Sequence, residues 1–316
     1  MATIANFGLD VGIYGPLANP ATILGLAQHA EAVGFESIWL ADHVAFPVTF
    51  KSEYPYSAKG DFPTKLDDPL LEPVATMGVL VGATKRVRIG TAALVMPYRN
   101  PLLLARMLAT LDQFSGGRIE LGAGTGWLEE EFVALNTFDF KQRGRATDEY
   151  IEIFKAICAG GEVGYQGQTY AFAPVISSPG SLQRPHPPVH IGGLSNPALR
   201  RVAKHGNGWI AVTANPETLA ERLGVLRRMT EEQGRNFSDL KLAYKIFLGI
   251  DKPKRSRFDD REPGTGTVAE ITDDLRKILA LGFTRIIVRY RGDGADELKR
   301  QIDRFVTEIV PQLSAA

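Results

Sequence analysis

Short apolar runs and longer amphipathic stretches alternate along the whole chain. Runs that read as strands cover 7–14, 36–41, 86–95, 118–122, 188–191, 208–212, 241–250 and 284–290. Stretches with apolar residues three and four apart predict helices over 21–33, 69–84, 100–114, 142–159, 197–205, 216–233, 267–281 and 294–311. In the first, Ile23, Leu26, Ala27 and Ala30 form the repeating face, and Gly34 closes it. Alternating strands and helices predict a parallel sheet. Eight such units closing on themselves make a (β/α)8 TIM barrel, a fold of about 250 residues. An open doubly wound sheet is the competing arrangement. The excess length sits in 42–68 and 161–187, both rich in Gly, Pro and aromatics, as lid or insertion loops are. No Pro/Ser-rich linker interrupts the chain, so 1–316 reads as one domain.

Composition narrows the partners. The 36 basic and 36 acidic side chains cancel, whereas nucleic acid and acidic membranes select for clustered Lys and Arg. No apolar run approaches the roughly 20 residues that span a bilayer, and residues 1–6 lack the features of an export signal. A single cysteine, Cys158, excludes an internal disulfide and a Cys-rich metal site. These features predict a cytoplasmic protein that handles a small molecule, with no metal, nucleic acid or membrane.

In a barrel the chemistry sits on the loops after the strand C-termini, and four unusual patches fall there. Strand two ends in Asp42-His43, an imidazole beside a carboxylate that can move or orient a proton; a structural histidine is the plainer alternative. Strand three ends in the small residues Thr91-Ala92-Ala93. Strand four runs into Gly122, Gly124, Thr125, Gly126 and Trp127. Its glycines lack the G-x-G-x-x-G spacing of a dinucleotide site. They read instead as a flat floor for a planar ring, or as a plain turn with a packing tryptophan. Strand five runs into Gly192, Gly193 and Leu194, with Asn196 as a possible N-cap and Pro197 in the first turn of the next helix. That geometry admits a phosphate at free backbone N–H groups, although a tight βα turn needs the same residues.

Other candidates read as structural. His29 and His205 lie on helices, and His186 and His190 flank Pro187-Pro188, a poor metal pair. Glu129, Glu130 and Glu131 suit a helix start, with one member facing the site. Arg143, Arg145, Asp148 and Glu149 form an ion-paired helix entrance, and Cys158 lies on an apolar face.

Four segments together resemble the bacterial luciferase-like flavin and deazaflavin oxidoreductases: ESIWLADHVAFP (36–47), RIGTAAL (88–94), NPLLLARMLATLDQFSGGRIELGAGTGWLEEEF (100–132) and PPVHIGGLSNPALRRVAKHGNGW (187–209). TVAEITDDLRKILALGFTRIIV (267–288) extends the resemblance, which is strongest to the branch that uses coenzyme F420. It implies a (β/α)8 barrel, commonly a homodimer, with the flavin on the C-terminal rim. It implies a bulge, often with a non-proline cis peptide, at Ala92-Ala93 behind the ring. Gly124 and Thr125 would lie near the ring or ribityl chain, and Gly192, Gly193 and Leu194 at the phosphate. Asp42 would touch the cofactor and His43 its reacting edge. Related sugar-phosphate dehydrogenases carry an acid where this chain has Trp127, which points away from that substrate and toward an aromatic or apolar one. Glu131 matches the oxidoreductase branch without an assigned role.

The resemblance implies hydride transfer between C5 of the deazaflavin and a small organic substrate, with His43 as proton donor or orienter and Phe46, Trp127 and Glu131 in the substrate pocket. Phe50, Tyr54, Tyr56 and Phe172 either extend its apolar lining or are ordinary loop packing. Arg184, Arg200, Arg201 and Lys204 are the candidate basic residues for the oligoglutamate tail of F420, with plain surface charge on a helix as the alternative. Two alternatives keep the fold: a two-component monooxygenase using reduced FMN from a separate reductase, and a flavin-binding relative without catalysis.

Overall fold

A computed structural model describes residues 6–55, 60, 62, 64–65, 67–137, 139–255 and 261–314. Eight parallel strands close into a barrel: β1 (Asn6–Asp10), β2 (Ser37–Leu40), β3 (Arg88–Thr91), β4 (Ile119–Gly124), β5 (Val189–Gly192), β6 (Gly208–Val212), β7 (Lys241–Ile250) and β8 (Arg285–Tyr290). Each pairs with its neighbours in sequence, and β8 closes on β1 with Gly8 opposite Ile287. The open-sheet alternative is thereby excluded.

Helices α1 (Pro20–Ala32), α2 (Pro73–Ala83), α3 (Pro101–Ser115), α4 (Glu129–Ala134), α5 (Arg143–Ala159), α6 (Asn196–His205), α7 (Pro216–Glu232), α8 (Val268–Ala280) and α9 (Ala295–Arg304) follow the strands. Most begin with Pro in the first turn behind a side-chain cap, as at Asn19, Glu72, Asn100 and Asn215. The cap of α6 is Ser195 rather than Asn196, one residue earlier than the sequence pattern predicts.

Outward strand residues such as Leu9, Ile38, Ile89, Leu121, Ile191, Ala211, Ile246 and Val288 pack under the helices. Inward residues form layers. At the waist Trp39 is fully buried against Ile210, Ala243 and Ile287. Its indole takes the space that side chains would need at Gly8 and Gly90, where an added Cβ would lie 2.5 and 2.7 Å from it. Below it, toward the strand N-termini, Glu120 meets His190 Nε2 at 2.7 Å, Arg285 Nη1 at 2.6 Å and Arg88, while Arg285 also grips Glu36. Above it lie Asp10, Lys245 and Arg289.

Two departures from the sequence reading matter. Strand three, expected to run through 86–95, breaks after Thr91 and resumes at Leu94–Val95, which pairs with β4. Segment 161–187, expected as a lid or loop, contains an antiparallel hairpin, Gly161–Gln166 with Ala171–Ser177. Its turn is held by Glu149 of α5, which accepts from the N–H groups of Gln168, Thr169 and Tyr170, and Tyr170 reaches Asn100 at 2.7 Å. Arg106 of α3 donates to Ser177 and Pro179. The hairpin therefore lies against α3 and α5 on the outside of the barrel. Among the described residues, no helix is long and apolar enough to cross a membrane.

Candidate active site

The break in β3 is the floor of the mouth. The Ala92–Ala93 peptide is cis, at the position that the sequence reading singled out. Five hydrogen bonds fix it. Ala92 N–H donates to Leu40 O at 2.6 Å, and Lys245 Nζ donates to Ala92 O at 3.0 Å. The Thr91 hydroxyl donates to Gly122 O at 2.8 Å and accepts from Gly122 N–H at 3.1 Å. Asp42 Oδ2 accepts the N–H of Val95 at 2.8 Å, where the strand resumes. Both Asp42 oxygens are also gripped by Arg99, at 2.7 and 2.9 Å, and Arg99 in turn reaches Glu72. Burial works to lower the pKa of Arg99, but the two carboxylates reverse this and hold it above its ordinary value. Asp42 thus braces the bulge through its side chain.

Across this floor the surface is made of small groups. Ala92, Ala93, Gly124, Thr125, Gly192, Gly193 and Leu194 are all half-buried around one opening. A Cβ added to Gly124 or Gly192 would stand 3.2 or 3.4 Å from Ala93 Cβ and fill the hollow between strands. Gly193 has φ +116°, a conformation that side-chain-bearing residues rarely adopt. Its carbonyl accepts from Trp209 Nε1 at 2.7 Å and its own N–H bonds Ile210 O at 3.3 Å. The next backbone N–H groups, of Leu194, Ser195 and Asn196, take no partner among the described residues and open the N-terminus of α6. A planar ring on the small floor and a phosphate at α6 both fit these residues.

His43, in the loop after β2, is only 4% exposed. Its Nδ1 lies 2.7 Å from Glu131 Oε2. Glu131 also accepts from the Tyr98 hydroxyl at 2.8 Å and from the N–H groups of Val44 and Ala45 at 2.6 and 3.0 Å. Burial opposes ionisation of Glu131, but these donors, His43 foremost, more than offset it and its pKa falls below the ordinary carboxylate value. An ionised acceptor fixes the proton of His43 on Nδ1, so Nε2 is the atom left for chemistry; it has no partner among the described residues. Sequence reading placed Glu131 in the substrate pocket, yet it is fully buried and touches the pocket through His43. Burial and Glu131 both raise the pKa of Tyr98, keeping its phenol a donor.

Aromatic rings enclose the imidazole. Phe46, Phe62, Tyr14 and Trp127 have centroids 4.7, 5.1, 5.7 and 5.9 Å away. Phe50 and Tyr54 pack on Trp127, at 6.2 and 5.2 Å. The covering segment is latched by the start of α4: Glu130 accepts from Lys51 N–H at 2.6 Å and the Ser52 hydroxyl at 2.7 Å. Tyr56 lies outside the described residues. Phe172 sits on the outer hairpin against Tyr165 and Tyr170, away from the mouth.

The four basic residues expected near the phosphate loop do not gather there. Arg184 donates to the carbonyls of Cys158 and Ala159 at the end of α5, which faces the strand N-termini. Lys204, in the last turn of α6, pairs with Glu152. Arg201 is buried on Asp148 and Gly144 O. Arg200 is exposed on α6. Sequence reading missed Arg222 of α7, which reaches the first turn of α6 through Asn196 at 2.9 Å. It also missed Tyr98, Arg99, Lys245 and Asp10. A lone lysine inside the apolar strand LAYKIFLGI was the available signal for Lys245.

Comparison with known proteins follows this geometry. Residues 1–277 match the family model described as luciferase-like monooxygenase. An uncharacterized protein of Mycobacterium tuberculosis is 30% identical over 210 residues, 66% of this chain and 72% of that protein. An FMNH(2)-dependent dimethylsulfone monooxygenase of Pseudomonas putida is 31% identical over 192 residues, 60% of this chain. That match spans about half of the relative, 48% of its length. Among solved structures, an F420-dependent secondary alcohol dehydrogenase in complex with an F420-acetone adduct shares the fold, with a TM-score of 0.80 at 18% identity. The alignment covers 98% of this chain and 99% of that one.

Proposed function

Because the chain belongs to the luciferase-like monooxygenase family, we propose that it is a flavin-type oxidoreductase, and more narrowly that it uses coenzyme F420 to act on a small organic substrate. The observation that carries this reading is the buried His43–Glu131 pair after β2, on the same strand-end rim as the small residues Ala92, Ala93, Gly124 and Gly192. The deazaflavin, when bound, supplies or accepts a hydride at C5. The remaining work falls to the chain. Ala92 and Ala93, braced by Asp42 and Lys245, support the ring; Gly124 and Thr125 flank it. Gly192, Gly193 and Leu194, with the free N–H groups beyond them, hold the phosphate. Nε2 of His43 exchanges the proton on the substrate oxygen, while Glu131 keeps the imidazole in one tautomer. Phe46 and Trp127 pack the substrate and exclude water. Assembly as a homodimer in the cytoplasm is part of the same proposal.

A second reading, reduced FMN delivered by a separate reductase for oxygen activation, draws on two observations. The Pseudomonas putida relative is FMNH(2)-dependent by its description, and the basic residues first assigned to an oligoglutamate tail are dispersed. Parallel titration of the apo-protein with F420 and FMN, followed by fluorescence, separates the two. The first reading expects tight F420 and weak FMN binding. The reverse order selects the second, and binding of neither by folded protein overturns both. With the cofactor identified, His43→Ala should leave its affinity intact and lower turnover by roughly 10²–10⁴-fold. Unchanged turnover returns His43 to a structural role, and no turnover of any donor or acceptor leaves a non-catalytic cofactor binder.

A further inference from the structure

At the upper end of the barrel one arginine, Arg289, is engaged along one edge only. Asp10 accepts from Lys245 at 2.6 Å, from Arg289 Nη1 at 3.0 Å and from Gly12 N–H at 2.9 Å. Burial opposes its ionisation, yet the two cations bring its pKa down to about 2. One carboxylate therefore faces two cations in a setting where an uncompensated charge is costly. Arg289 uses only Nη1 in this pair; its Nε and Nη2 take no partner among the described residues. The guanidinium lies hard against Gly12, where an added Cβ would come within 2.2 Å of it.

Arg289 and Asp10 line a cavity of about 350 Å³ that straddles the end of β8. Its far wall is apolar: Leu17 and Leu26 beside α1, Leu298 and Ile302 on α9. Tyr290 also lines it, and its hydroxyl is buried without a hydrogen-bond partner among the described residues. Asp293 stands at the exposed edge. The volume is at the lower end of small-molecule sites, which run from about 300 to 1,000 Å³. A guanidinium with donors to spare and a largely apolar lining suit an amphipathic anion, whose head would meet Arg289 and stand clear of Asp293.

We propose that this cavity binds a monocarboxylate, with its carboxylate on the free edge of Arg289 and its apolar chain between α1 and α9. The ligand's carboxylate accepts from the N–H groups of Arg289 that Asp10 leaves free. Arg289 sits 5.6 Å from the Tyr14 ring, and His43 sits 5.7 Å from the same ring. The acid head is thus one aromatic ring away from the imidazole. That the acid is the redox substrate rests on the reading above; its binding does not.

The test uses apo-protein and three probes of one chain length: octanoate, octan-1-ol and octylammonium, titrated calorimetrically. Octanoate should bind at least about tenfold more tightly than the alcohol, and the ammonium ion should not bind, since hydrogen bonds to charged groups carry that much. Arg289→Gln should weaken octanoate about tenfold or more and leave the alcohol unchanged. Leu298→Trp, which fills the apolar wall without touching the cluster, should weaken both. Equal octanoate affinity in the wild type and Arg289→Gln overturns the proposal, as does no octanoate binding by folded wild-type protein. Octanoate binding by a protein that takes neither F420 nor FMN would leave this site standing and remove the redox reading alone.

Discussion

The two ends of the barrel interior are both lined with buried ions, but they differ in what lies beside them: the upper ions border a cavity. Below Trp39, two arginines, Arg88 and Arg285, meet two carboxylates, Glu36 and Glu120; Glu120 joins Arg88, Arg285 and His190, while Glu36 is held by Arg285 and the Nδ1 of His190 stays buried without a hydrogen-bond partner among the described residues. Above it, Lys245 and Arg289 share Asp10, and His43 has one nitrogen committed and one open. The lower cluster reads as a fastening for strand starts, in line with the stabilising role of that face in barrels. At the upper one, Arg289 and Asp10 border a cavity, and donors of Arg289 and one nitrogen of His43 have no partner among the described residues. Buried charge by itself therefore does not mark a site; charge beside a cavity is what the proposal rests on.

The largest way to test that contrast is Glu120→Ala. It strands Arg285, Arg88 and His190 inside the barrel and should cost about 3–5 kcal/mol of stability, read by urea denaturation. The surviving folded fraction should keep full specific activity. A variant with wild-type stability would mean that water repairs the lower cluster. Next in size is Glu131→Gln at the upper end, which should do the opposite. Turnover should fall by roughly 10²-fold, while stability drops by no more than about 2 kcal/mol, as a neutral amide still accepts from some of the four donors. If the two variants behaved alike, the division between ends would collapse.

Gly193→Val sharpens the comparison on the cofactor side. A β-branched residue at φ +116° forces the loop to move, so phosphorylated cofactor should bind at least about tenfold more weakly than its dephosphorylated form changes. Equal losses for both forms would dissociate this loop from the phosphate. The smallest effect concerns His205, buried outside the barrel near Asp148 and Glu152. Burial lowers its pKa from 6.5 to about 4. Below pH 6.5 the unfolded chain takes a proton that the folded one refuses, so stability should decline between about pH 6.5 and 4. The slope should not exceed about 1.4 kcal/mol per pH unit. His205→Gln should flatten that limb of the curve and leave activity alone.

The alternation of strands and helices was legible because barrel strands bury both faces and helices bury one, which writes two distinct periods into the sequence. The hairpin after α5 left no such trace: most of its residues are exposed on both faces, so no alternation betrays it. The small floor at Ala92, Ala93, Gly124 and Gly192 could be read directly, since absence of side chains is a local property. Partnerships were not. Glu131 lies 88 positions from His43 and Arg99 lies 57 from Asp42, and only closure of the barrel brings them together. The same cause misled the reading of Arg184 and Lys204, near the phosphate loop in sequence but carried to the opposite face by the strand or helix between.

The indole at the waist has a consequence for traffic. Trp39 closes the barrel interior beneath His43, so a molecule that reaches the imidazole comes from the side of the strand C-termini, past the rings of Phe46, Phe62 and Trp127. If the proposed reaction takes place there, substrate and product share that side.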